Sequence, residues 1–99
     1  MAQQESKQSV GEDGYGAGGL KAYNLIQSCI MKVYRHYMEM ELGRPPKPEE
    51  LTKSFFETGQ HRKYRIFYQQ SIARINEAAK RGILEKSVEK FAEEFFEED

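Results

Sequence analysis

The stretch that decides the fold runs from residue 60 to residue 81 and reads QHRKYRIFYQQSIARINEAAKR. With about 100° of turn per residue, Tyr64, Phe67, Tyr68, Ile72, Ile75, Ala78 and Ala79 fall on one side. Arg62, Gln69 and Lys80 share one outward line, and Lys63, Gln70, Arg74 and Arg81 share another. Apolar residues at this spacing give one face to bury, so the stretch predicts a single long helix. Lys80 and Arg81 suit the negative end of a helix dipole, and Gly82 suits a left-handed stop.

Upstream, residues 20–42 predict a second long helix. Ala22, Ile26, Ile30, Val33 and Tyr37 form its main stripe, with Tyr23 and Cys29 at the edges. Leu20, Met31 and Met38 add a second apolar line, and so wide an arc implies two neighbouring elements or a second chain. Gly43 can take the left-handed position, and Pro45 and Pro46 cannot continue a helix. Residues 48–57 predict a short helix. Pro48 fits the first position, Glu49 and Glu50 the first turn, and Leu51 and Phe55 face inward at i, i+4. Downstream, residues 84–96 predict a last helix whose Leu84, Val88, Phe91 and Phe95 make a narrow seam. No segment alternates with period two, and no internal repeat occurs. The expected fold class is all-α: a small bundle of three longer helices and one short helix.

Residues 1–19 hold five of the eight glycines and almost nothing apolar. Such a segment does not recover its ordering entropy, so a flexible tail is expected ahead of one helical domain at 20–99. Gly14-Tyr15-Gly16 lacks the Lys-Ser/Thr ending of a phosphate-binding loop and reads as linker. At 99 residues there is room for one core only. Mean hydropathy is -0.81, yet 12% aromatic residues argue against full disorder. No apolar run approaches the roughly 20 residues of a membrane-spanning helix, and no signal-peptide core is visible. One cysteine excludes an internal disulfide framework. These features predict a cytoplasmic protein with no membrane association.

Charge is unevenly placed. Residues 1–19 carry a net -2, residues 20–82 a net +6 and residues 83–99 a net -5, for a total of -1. The simplest consequence is an acidic last helix folded against the basic one. Catalysis has little support. Cys29 and His36 are two turns apart, about 10 Å along a helix, which is too far for a nucleophile and its base. His36 and Glu39 at i, i+3 lack a second pair to complete a metal site. Hence no enzyme, no cofactor and no metal are expected.

Two binding classes remain. The first is a helical protein-interaction module, an adaptor or regulator that pairs with a protein partner or with itself. So small a core has trouble hiding every aromatic, and Met31, Tyr34, Met38, Phe56 and Phe96 are the candidates left for an interface. The second is a small DNA- or RNA-binding protein. The basic helix 60–81 offers Arg62, Lys63, Arg74, Lys80 and Arg81 to phosphates, with Gln60, Gln69, Gln70 and Asn76 for base edges. Helix, short helix, turn and basic helix also occur in the order of a helix-turn-helix, though Thr58, Gln60 and Arg65 stand where that motif wants apolar residues. Gly43-Arg44-Pro45-Pro46-Lys47 resembles the core of an AT-hook, a resemblance that implies minor-groove reading by Arg44 and Lys47. By loop chemistry alone the same residues make a proline-stiffened connector. The protein-interaction reading is the expectation, and nucleic-acid binding is the alternative.

Overall fold

The computed structural model describes residues 18–97, and residues 1–17 of the tail expected at 1–19 lie outside them. Among the described residues all regular structure is helical. The elements are α1 (Gly19–Leu42), α2 (Pro48–Glu57), α3 (Gln60–Gln70), α4 (Ile72–Lys80) and α5 (Leu84–Glu97). The expectation of three longer helices and one short one is therefore corrected to five, because 60–81 is divided at Ser71.

The break is local. The Ser71 N–H is shared between the carbonyls of Phe67 (2.9 Å) and Tyr68 (3.2 Å), which tightens one turn toward 3₁₀ geometry. Tyr68 and Ile75 are nonetheless both buried, so the apolar face passes through the break unshifted. That is why hydrophobic periodicity does not register it. The first helix also starts one residue earlier than expected, at Gly19.

The ends follow the sequence chemistry. Gly43 has φ 74° and donates its N–H to Glu39 O at 2.9 Å, which stops α1. α2 opens at Pro48, and the Glu50 carboxylate accepts the Lys47 N–H at 2.8 Å. After α4, Gly82 at φ 73° lets Ile83 N–H reach Ala78 O while its own N–H reaches Ala79 O. These paired bonds satisfy the carbonyls of the last turn and reverse the chain into α5.

Pair contacts set the helix directions. α5 runs alongside α1 in the same sense: Lys21 lies 4.0 Å from Glu85 near one end, and Tyr37 meets Phe96 near the other. α3 and α4 run the opposite way. Tyr68 packs on Tyr23, and a methyl group added at Gly18 would sit 3.5 Å from Ala79 Cβ. α2 braces the far half of α1 through Phe55 against Tyr34. The wide apolar arc of α1 is thus used within the chain, by α5 on one side and α2 on another.

The core centres on aromatics from three helices. Phe95 of α5 meets Phe67 at 5.7 Å and Tyr64 at 6.1 Å, both edge-on. Tyr64 is fully buried and donates its hydroxyl to the Tyr23 carbonyl at 2.6 Å. Burial drives its phenol pKa well above the ordinary range, so it remains a neutral donor. Ala22, Ile26, Ile30, Ile75, Phe91 and Ala92 fill the rest. Tyr37 departs from its expected place on the buried stripe and is 48% exposed. It meets Phe96, in the last turn of α5, edge-on at 5.5 Å.

Candidate interaction groove

Phe55 and Phe56 are adjacent on α2 and have opposite fates. Phe55 is 1% exposed and packs edge-on against Tyr34; Phe56 is 54% exposed. Neighbours on a helix lie about 100° apart, so only one of them can face the core. Phe56 stacks on His61 at the start of α3, with centroids 4.2 Å apart and planes 25° from parallel. The pair forms one lip of a groove of about 550 Å³ between α1, α2 and α3. Met31, Leu51 and Phe55 supply its apolar floor, and Lys32 and Arg35 stand on the α1 side. Among the described residues its other polar lining side chains are Gln27, Ser28 and His61 apart from the Tyr23 hydroxyl, and none is a carboxylate.

A second groove of about 540 Å³ runs between α1 and α5. Val33, Tyr37, Ala92 and Phe96 give it an apolar floor, Glu89, Glu93 and Glu97 line its α5 side, and Lys32 lines its α1 side. Cys29 sits at this groove, and burial together with Glu89 raises its thiol pKa, which makes it a poor nucleophile. The two grooves are alike in size and differ in their balance of charge: Lys32 lines both, beside Arg35 in the first and against Glu89, Glu93 and Glu97 in the second.

The five expected interface residues do not form one surface. Met31 and Phe56 meet in the first groove, and Phe96 lies in the second. Tyr34 is half-buried between α1 and α2, its hydroxyl 2.7 Å from Ser54 Oγ and 3.2 Å from Thr58 Oγ1. Met38 is half-buried on α1 outside both grooves. Sequence reading missed the exposure of Met40 (70%) and Ile66 (52%). Met40 shares the angular position of Ala22, and its exposure follows from where neighbouring helices stop, which periodicity does not encode.

The seven candidate phosphate-binding residues lie on three segments. Arg44 forks onto Glu50 with bonds of 2.9 and 2.8 Å, and Lys47 is exposed at the start of α2. Arg44 together with the Lys47 N–H lowers the Glu50 carboxyl to about 2. The connector residues are therefore tied to the helix that follows them. Arg62 is exposed on α3, whereas the Lys63 ammonium sits 4.4 Å above the Phe95 ring. Arg74 forks onto Glu94 with two bonds of 2.7 Å, stands over the Phe91 ring and holds Glu94 below the usual carboxylate range. Lys80 and Arg81 are exposed at the end of α4. The expected fold-back of acidic helix on basic helix thus takes the concrete form of Arg74 and Glu94.

Among the described residues no three His, Cys, Asp or Glu side chains gather as metal ligands. None of the described helices is long and apolar enough to cross a membrane. No family model matches the chain, and neither a curated protein nor a solved structure matches it.

Proposed function

We propose that this chain is a non-enzymatic helical protein-interaction module, an adaptor or regulator that receives a partner in the groove between α1, α2 and α3. The observation that carries the reading is Phe56. A large aromatic ring 54% exposed beside a concave apolar floor is costly to leave in water and rewarding to cover. Aromatic and methionine side chains dominate the energetics of such surfaces, and Met31 lies in the same groove. The ion pairs of Arg44 and Arg74 support this reading over nucleic-acid binding, because each guanidinium already has a bidentate acid.

The test is selection of displayed helical peptides against the folded chain, repeated against Phe56→Asp. Enrichment that disappears with Phe56→Asp, while the variant keeps its helical signal and urea midpoint, is the expected result. Enrichment indifferent to that substitution removes the groove as the docking site.

A further inference from the structure

Resting on the groove proposed above, we infer that its occupant is an acidic amphipathic helix from another protein. Three observations carry this. First, the charged lining is one-signed among the described residues: Lys32 and Arg35 flank the floor, and no described carboxylate lines it. Arg65 stands one turn beyond His61 on α3, with Arg62 beside it, and both are exposed. Arg35 has Glu39 at 3.4 Å, yet a guanidinium has five N–H donors and keeps capacity for a second carboxylate. Cations that a partner must partly desolvate are best answered by acids at its rim.

Second, the length suits a helix. The α1 lining runs from Tyr23 to Arg35, about 18 Å at 1.5 Å per residue, which matches roughly three turns of a docked helix. The described residues contain no strand, so no sheet edge offers the alternative of strand addition.

Third, the molecule carries its own counter-example. The α1–α5 groove has similar size and an apolar floor, but there Lys32, which lines both grooves, is outnumbered by Glu89, Glu93 and Glu97. An acidic helix is repelled there and accepted at Phe56, so the two grooves sort partners by charge.

The probe is a displayed library of 14-residue helices with Leu at positions 1, 4, 8 and 11 and Glu, Lys, Gln or Ala elsewhere. Selected against the wild-type chain, the Phe56-dependent pool should be enriched in Glu over Lys by at least threefold. A chemically made member of that pool should lose about tenfold in affinity between 50 and 300 mM salt. Selection against the double variant Lys32→Glu, Arg35→Glu should turn the pool toward Lys, a reversal that damaged folding would not produce. A Phe56-dependent pool rich in Lys or without charge bias overturns the inference and leaves the groove standing. A pool that ignores Phe56 overturns both. Sedimentation showing self-association that Phe56→Asp abolishes assigns the groove to a second copy and overturns the separate partner. Tighter Phe56-dependent binding of a labelled single-stranded oligonucleotide than of any pool member assigns it to nucleic acid and also overturns it.

Discussion

Phe95 and Phe56 each lie beside other aromatic rings, but they belong to different kinds of surface. Phe95 is fully enclosed by α1, α3 and α5, with Tyr64, Phe67 and Phe96 around it and the Lys63 ammonium over its face. Phe56 has His61 on one face and remains 54% exposed. The difference comes from geometry rather than residue type. Phe95 lies on a helix flanked on both sides, whereas the ten-residue α2 has its buried face filled by Leu51 and Phe55. An aromatic beyond that face meets only the first turn of α3.

The contrast breaks most clearly if the core aromatic is removable. Phe95→Ala should cost about 3–5 kcal/mol, read as a lower urea midpoint at unchanged slope. A loss under about 1 kcal/mol would mean that the α1–α3–α5 cluster is loosely packed.

The hydroxyls sharpen it next. Tyr64→Phe removes the 2.6 Å bond to the Tyr23 carbonyl from a buried site and should cost about 0.5–1.5 kcal/mol. Tyr34→Phe, in the half-buried α1–α2 contact where water can replace the lost bond, should cost less. Equal losses would show that α2 is held as firmly as the core.

The forked ion pairs should matter less. Arg74→Ala should change stability by about 0–1 kcal/mol at moderate salt, since the pair is largely solvated. Their pH dependence has a definite sign. Glu50 and Glu94 are both depressed in the folded state, so each contributes stability above the ordinary carboxylate pKa and loses it as pH falls through the folded value. For Glu50 that window lies between the ordinary 4.5 and about 2. Thermal melts of Glu50→Gln should therefore show a flatter acid limb than the wild type over that range. An unchanged limb would remove the Arg44–Glu50 pair as a contributor.

Much of this architecture was legible in residue spacing. The seam of Phe91 and Phe95, the stripe of Ala22, Ile26 and Ile30, and the inward Tyr64, Phe67 and Tyr68 all follow from 3.6-residue periodicity. Gly43 and Gly82 marked their helix ends because a left-handed residue is needed there. The Ser71 break escaped because it tightens one turn without rotating the face. The groove was only half legible. Phe56 and Met31 stood out as apolar residues in excess of what the core could hold, but which excess residues share a concavity depends on how α2 leans on α1. The charge of the grooves was hidden for the same reason: Lys32 and Glu89 acquire neighbours only through tertiary packing.

The smallest expected effect on stability belongs to the residue most important to the account. Phe56→Ala should shift unfolding by no more than about 0.5 kcal/mol, because the ring is already 54% exposed and loses chiefly its stacking on His61. The decisive measurement is therefore calorimetric titration of one selected acidic helix into the wild-type chain and into Phe56→Ala. The account predicts at least tenfold weaker binding to the variant, equivalent to about 1.4 kcal/mol, with the urea midpoint unchanged. Equal affinity for the two chains would contradict it.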